Sequence, residues 1–121
     1  MLTAFGIALR KIRLDRGEIL KTMADTLEIS SSYLSAIETG TRNIPDDFIN
    51  RLSALYHLDA DKVQELKNAQ LESQKEVVVG LEGATLKKRD TALIFARSFS
   101  DIDEQTAEKI KRLLKNSIKG E

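Results

Sequence analysis

The chain has 121 residues, 41% of them apolar and 31% charged, which is typical of one soluble globular domain or of a small domain with an appendage. It has no cysteine and one histidine, so thiolate metal sites and cysteine nucleophiles are excluded, and we expect no catalytic residues, metal site or cofactor. The net charge is zero, although residues 84–121 carry nine Lys and Arg against six Asp and Glu, so any nucleic-acid binding needs a local motif rather than a global basic field.

The first residues do not resemble a targeting segment. Met1–Gly6 lacks the basic region and the long apolar stretch of a secretory signal, and no later run reaches the roughly 18 apolar residues of a membrane span. We therefore expect a cytoplasmic protein without a membrane partner.

Five closely spaced amphipathic helices are predicted within residues 1–74. The first covers residues 3–15 and ends at Gly17, and the second covers about two turns around residues 23–27. Apolar residues recur at three- and four-residue spacing through all five helices, which predicts a common core. The predicted core residues are Phe5, Leu9, Ile12, Met23, Leu27, Leu34, Ile37, Phe48, Leu52 and Leu55.

Residue types at the helix ends predict where the later helices begin and end. Ser30 is expected to be the N-cap of the third helix, and Gly40 is expected to end it in the left-handed conformation. Pro45 is predicted in the first turn of a fourth helix, where its missing N–H is tolerated. His57 suits the C-terminus of that helix, and Asp59 is expected to cap a fifth.

The second and third helices are separated by about three residues, a spacing typical of a helix-turn-helix. Specific residues then match a known family. The chain resembles the Cro/C1-type helix-turn-helix proteins, also called the XRE family, over about residues 3–67. The matching segments are Phe5-Gly6-x-x-Leu9-Arg10-x-x-Arg13 and Met23-Ala24-x-x-Leu27-x-Ile29-Ser30-x-Ser32-Tyr33-Leu34-Ser35-Ala36-Ile37-Glu38-x-Gly40-x-Arg42.

The resemblance implies a mainly α fold, a five-helix domain like that of lambda repressor, in which helix 31–39 enters the major groove of double-stranded DNA. It also implies a structural ion pair between Arg13 and Glu38. The exposed serines of the third helix are expected to discriminate bases poorly, because a hydroxyl both donates and accepts hydrogen bonds. The residues expected to contact bases or the DNA backbone are Ser30, Ser31, Ser32, Tyr33, Ser35, Ala36, Thr39, Thr41, Arg42 and Asn43.

One position departs from the family pattern. Many members carry glutamine or another polar residue near the start of the second helix, where it meets the DNA backbone, and this chain has Leu20 there. Either that contact is missing or the second helix begins elsewhere.

Residues 75–121 are predicted to form a separate C-terminal region. Glu76–Gly83 combines β-branched residues with two glycines, which predicts a short strand, and two amphipathic helices follow. A single strand needs a partner edge, and no comparable run occurs elsewhere in the chain. We expect this region to form a homodimer or to bind another protein; the alternative is that it folds back on the helices of residues 1–74.

Three interpretations of function follow from these residues. The first is a dimeric repressor that binds a palindromic operator and so associates with the nucleoid. The second is an antitoxin whose C-terminal region neutralises a toxin while its N-terminal region represses their shared operon. The third is a plain helical bundle in which the serines are helix caps and the arginines solvated charges. No candidate general base stands near Ser32 or Tyr33, so we do not expect an enzyme.

Overall fold

The computed structural model describes residues 1–119, which form two compact units, an N-terminal unit spanning Met1–Val77 and a C-terminal unit that begins at Val78. The helices in this part of the chain are α1 (Ala4–Arg16), α2 (Leu20–Leu27), α3 (Ser31–Thr39), α4 (Phe48–Tyr56), α5 (Ala60–Ser73), α6 (Leu86–Ser98) and α7 (Glu104–Lys119), with a short 3₁₀ helix at Phe99–Asp101. The mainly helical fold predicted from the sequence is confirmed. Among residues 1–119, no helix combines the length and the apolar composition needed to cross a bilayer.

Several of the predicted helix ends are confirmed by their hydrogen bonds. The Ser30 hydroxyl accepts from the Tyr33 backbone N–H at 3.0 Å, and Asp59 accepts from the Lys62 backbone N–H at 2.8 Å. Gly17 and Gly40 end α1 and α3 with φ of 66° and 79°. His57 ends α4 with φ of 53°, in the left-handed conformation, although it is not a glycine.

The start of α4 differs from the prediction. Pro45 precedes the helix instead of occupying its first turn, because the Pro45 carbonyl accepts from the Phe48 N–H and closes a turn there. The helix begins at Phe48, and its buried face includes Phe48 and Leu52 as predicted but not Leu55. Leu55 is 45% exposed, and the side chains of Ile49 and Tyr56 are buried in its place.

The core of the N-terminal unit joins all five of its helices. Phe5 and Leu9 of α1, Met23 of α2, Leu34 of α3 and Leu66 of α5 are fully buried together. The Phe5 and Phe48 rings meet edge to face at 5.7 Å between centroids. Close packing in this core fixes the position of α3 relative to α2.

A second cluster joins the end of α1 to the end of α4. The Arg16 guanidinium lies 4.6 Å from the centroid of the Tyr56 ring and donates to the Tyr56 carbonyl oxygen. The Tyr56 hydroxyl donates to Glu18 at 2.7 Å. Burial, together with this hydrogen bond, raises the pKa of Tyr56 to about 12, so the phenol stays protonated and keeps donating above the pH at which an ordinary tyrosine ionises.

Gly6 allows α1 to approach the end of α3 very closely. A Cβ atom at Gly6 would overlap the carbonyl oxygen of Glu38 and lie 2.9 Å from its carbonyl carbon. The same carbonyl oxygen accepts from the Thr3 N–H and from the Thr3 hydroxyl, each at 3.0 Å. The start of α1 is therefore hydrogen-bonded to the backbone of α3.

The strand predicted at Glu76–Gly83 is wrong, because the described residues contain no β-strand. Val77, Val78 and Val79 are exposed, Val78 to 80%, and a turn follows at Glu82 and Gly83. β-branched residues favour extended backbone, but a strand exists only where a second segment supplies hydrogen bonds along its edge. No segment of the described chain supplies that edge to the valines.

The two helices predicted in the C-terminal unit are confirmed as α6 and α7. Thr85 caps α6 by accepting from the Lys88 N–H at 3.2 Å. Asp103 accepts from the Thr106 N–H at 2.8 Å, and hydrogen bonding with Thr106 lowers the pKa of that carboxyl. None of the apolar side chains described in this unit is buried. The last two positions of the predicted region 75–121 lie outside the described residues.

Gly6→Ala should destabilise the N-terminal unit by about 1–3 kcal/mol, because the added methyl group forces α1 away from the Glu38 carbonyl. Urea denaturation followed by circular dichroism measures the change. Gly80→Ala is the matched control, since a Cβ at Gly80 meets nothing within 4 Å. Equal unfolding free energies for the two variants would contradict this account of Gly6.

Candidate nucleic-acid interface

The connection between α2 and α3 is short and fixed by hydrogen bonds. Glu28 ends α2 in the left-handed conformation with φ of 60°, and the Ile29 N–H returns to the Ala24 carbonyl at 3.0 Å. Ser30 then caps α3. Ala24 is buried between the helices, where a larger side chain would separate them. The arrangement is a helix-turn-helix.

Arg51 of α4 also supports this turn. Its guanidinium donates to the carbonyl oxygen of Leu27 at 2.7 Å, which satisfies an acceptor that the end of α2 leaves free. This role of Arg51 is not visible in the sequence. The i,i+4 pattern of α4 shows only that Arg51 is on its polar side, and the partner lies on another helix.

Arg13 and Glu38 form a buried ion pair between α1 and α3. The two guanidinium nitrogens of Arg13 donate to the two carboxylate oxygens of Glu38, and the second of these bonds measures 3.1 Å. One of the nitrogens also lies 3.5 Å from the Met23 sulfur. The side chains are 8% and 4% exposed, so the pair lies inside the unit and not on the surface of α3. It fixes the orientation of α3 on α1.

The exposed face of α3 carries small polar side chains. Ser32 and Ser35 are exposed, while Ser31 and Ala36 are half-buried beside them. Leu34 and Ile37 point into the core. Helical spacing places Ser32, Ser35 and Ala36 away from the buried stripe, whereas Ser31, one turn before Leu34, lies at the edge of that stripe. Small side chains there allow the helix backbone to approach another surface closely.

The residues after α3 form a polar segment whose hydroxyl groups are already engaged. The Thr39 hydroxyl donates to the Ser35 carbonyl at 3.1 Å, so in its 3.1 Å contact with the Thr41 hydroxyl it is the acceptor. Both hydroxyl hydrogens are therefore used within the protein. The donors that this segment still offers to a ligand are the side chains of Arg42 and Asn43, both exposed.

Arg42 does not extend freely into solvent. Its guanidinium carbon lies 5.7 Å from the centroid of the Tyr33 ring, within the range of a cation–π contact. Tyr33 itself is half-buried against the core. The ring therefore holds the guanidinium along α3, and this pairing was not visible in the sequence because the two residues are nine positions apart on different elements.

The second helix, α2, begins at the position where this chain departs from the family pattern. The helix begins at Leu20, its N-cap Ile19 makes no side-chain hydrogen bond, and Leu20 packs against the core. Lys21 beside it pairs with Asp25 at 3.0 Å. Position 20 therefore supplies no polar side chain at this end of α2.

Within residues 1–119, no three His, Cys, Asp or Glu side chains gather as a metal-binding group. Ser32, Tyr33 and Glu38 do not form a catalytic cluster, because the Glu38 carboxylate is buried against Arg13. The chemistry that this surface offers is hydrogen bonding and positive charge.

Arg13→Ala should cost about 3–5 kcal/mol of unfolding free energy, because it leaves the Glu38 carboxylate buried without a partner. Arg10→Ala, an exposed arginine one turn earlier in α1, is the matched control and should change stability by no more than about 0.5 kcal/mol. Chemical denaturation of the two variants compares them. Similar losses would show that the pair contributes no more than a surface charge.

Comparison with known proteins agrees with this geometry. The helix-turn-helix domain family matches residues 4–66, which is about half of the chain. The chain is also 28% identical over 119 residues to the HTH-type transcriptional regulator ImmR of Bacillus subtilis (strain 168), covering 96% of this chain and 92% of that protein. No solved structure matches it. The resemblance in Phe5–Arg42, the buried Arg13–Glu38 pair and the family match together show that this chain belongs to the XRE-type helix-turn-helix family.

Proposed function

We propose that this protein is a DNA-binding transcriptional regulator, and that it acts by binding and not by catalysis. The observation that carries the proposal is the exposed face of α3, which is free of large side chains and is held rigidly by the buried contacts of α1 and α2. The Bacillus subtilis relative, which resembles this chain over most of both lengths, is an HTH-type transcriptional regulator.

In the proposed complex, α3 enters the major groove with its N-terminal end toward the bases. Ser31, Ser32, Ser35 and Ala36 face the base edges. Serine hydroxyls distinguish bases weakly and Ala36 offers only a methyl contact, so base discrimination by direct contact is modest. Tyr33 lies next to them and contributes its ring to positioning Arg42.

The DNA backbone is bound from both ends of α3. The first N–H groups of a helix have no intrahelical partner and carry the positive end of its dipole, so the Ser31 and Ser32 amides suit a phosphate. Ser30 can donate its hydroxyl hydrogen, because its oxygen already accepts from Tyr33. At the other end, Arg42 and Asn43 bind the backbone directly, whereas Thr39 and Thr41 contribute only if their hydroxyl groups turn away from the protein.

We further propose that the chain is a homodimer joined through the C-terminal unit. Its helices α6 and α7 keep large apolar side chains exposed, with Leu86 at 86% and Leu113 at 71%. Short helices gain most of their stability from burying an apolar face, and the described apolar side chains of α6 and α7 stay exposed. A second copy supplies an equally apolar surface, and a two-fold axis covers both at once. The exposed apolar residues concerned are Leu86, Leu93, Ile94, Phe95, Phe99, Leu113, Leu114 and Ile118.

A two-fold dimer of this kind suits a palindromic operator, because each copy places its α3 on one half-site. Occupying such an operator blocks transcription, so repression is the activity that we propose. Association with the nucleoid follows from DNA binding.

Arg42→Ala should weaken binding to all duplex sequences to a similar extent, because a phosphate contact carries no base information. A plot of log K against log salt concentration has a negative slope, and the magnitude of that slope should decrease by about 0.9. Lys67→Ala, an exposed cation on α5 away from α3, is the matched control and should leave the slope unchanged.

Tyr33 provides a second check on this contact. Tyr33→Leu removes the ring under the guanidinium and should reproduce part of the Arg42→Ala loss, while Tyr33→Phe keeps the ring and the affinity. An unchanged salt slope in Arg42→Ala would show that Arg42 does not contact the backbone.

Leu113→Glu should convert the dimer to a monomer while the N-terminal unit keeps its helical signal, because all the buried core lies within that unit among the described residues. Analytical ultracentrifugation of the full chain measures the mass. Leu71→Glu, the same change at an exposed leucine of α5, should remain dimeric. A monomeric wild-type chain would contradict the dimer and would leave this surface for a different protein, such as the toxin of an antitoxin pair.

A further inference from the structure

A cleft lies beside the proposed DNA-binding segment, within the N-terminal unit. One wall is the segment that follows α3, and the other wall is the C-terminal end of α5 with the residues after it. We call it the α3–α5 cleft. The side chains that matter to its chemistry belong to Thr39, Arg42, Asn43, Gln74, Lys75 and Glu76.

The two walls are held together by hydrogen bonds through the start of α1. The Ser73 hydroxyl accepts from the Phe5 N–H at 3.0 Å and donates to the Ala69 carbonyl at 2.7 Å. Thr3 donates to the Glu38 carbonyl near the end of α3. The end of α5 is therefore fixed next to the end of α3, although the two are more than 30 residues apart in the sequence.

The cleft brings amide donors next to a cation. Asn43 and Gln74 carry amide NH₂ groups, and Lys75, which is exposed, brings an ammonium group with three donors. Glu76 is the one carboxylate among these cleft residues and lies next to Lys75 in the chain. Donors with a cation suit a phosphate oxygen, and an opposing carboxylate reduces the affinity without removing it.

We propose that the α3–α5 cleft binds a phosphate of the DNA backbone, beyond those reached from the helix-turn-helix, and that Lys75 is its cation. The inference rests on the proposed function, because Arg42 and Asn43, which that function places on the DNA backbone, line the cleft. It extends the DNA-binding surface from α3 to the residues that follow α5.

Salt-dependent titration of duplex DNA with the full chain tests this site, using Lys75→Ala and Glu76→Gln with Lys67→Ala as the control. Lys75→Ala should decrease the magnitude of the negative slope of log K against log salt by about 0.9, as expected for the loss of one phosphate contact. Glu76→Gln should have the opposite effect and strengthen binding, since it removes the negative charge from the same cleft. The three positions are exposed, so thermal unfolding of each variant should match that of the wild type.

The outcomes separate this inference from the proposed function. If Lys75→Ala and Lys67→Ala both bind like the wild type while Arg42→Ala loses slope, the cleft does not contact DNA and the proposed function stands. If Glu76→Gln weakens binding, the cleft does not face the phosphates and the inference is overturned. If the wild-type chain binds no duplex at any salt concentration, the proposed function itself fails.

Discussion

The N-terminal unit depends on the contact of α1 with Glu38, the residue of α3 that is bonded through both its backbone and its side chain. Its carbonyl oxygen accepts twice from Thr3, and Gly6 leaves the room for this approach. Its carboxylate is buried against Arg13. A single residue near the end of α3 thereby fixes both the position and the rotation of that helix. Any surface that α3 presents to a ligand is oriented by these bonds.

This anchoring explains how the exposed face of α3 can consist of small residues and still be well ordered. Ser32 and Ser35 make few contacts of their own, so their positions follow from the buried residues beneath them. The charged donor at the edge of this face, Arg42, is held by an aromatic ring rather than by an acidic partner. A cation held in this way keeps its full charge for an anionic ligand, whereas an arginine in a salt bridge would have to exchange one carboxylate for a phosphate.

The two units of the chain obtain their stability differently. The N-terminal unit buries aromatic and aliphatic side chains from five helices, and the buried polar atoms of its side chains have hydrogen-bond partners. The C-terminal unit has well-capped helices and an edge-to-face contact between Phe95 and Phe99, but none of its described apolar side chains is buried. Helix caps act within one turn and determine where a helix begins, whereas burial of an apolar face requires a second surface. For this reason we propose that the dimer contact lies in the C-terminal unit.

Local chemistry in the sequence was enough to predict the caps at Ser30, Gly40 and Asp59, the buried stripes of α1 to α3 and the two C-terminal helices, because each depends on residues within a few positions of one another. The family resemblance added the relation between Arg13 and Glu38, which no spacing argument would have paired. Tertiary structure alone decided the rest. The valines after residue 76 did not become a strand, since a strand needs an edge that the described chain does not provide. The contact of Arg51 with Leu27 and that of Arg42 with Tyr33 join separate elements, and Lys75 and Asn43 line one cleft from separate elements; these arrangements arise only when the core brings the elements together.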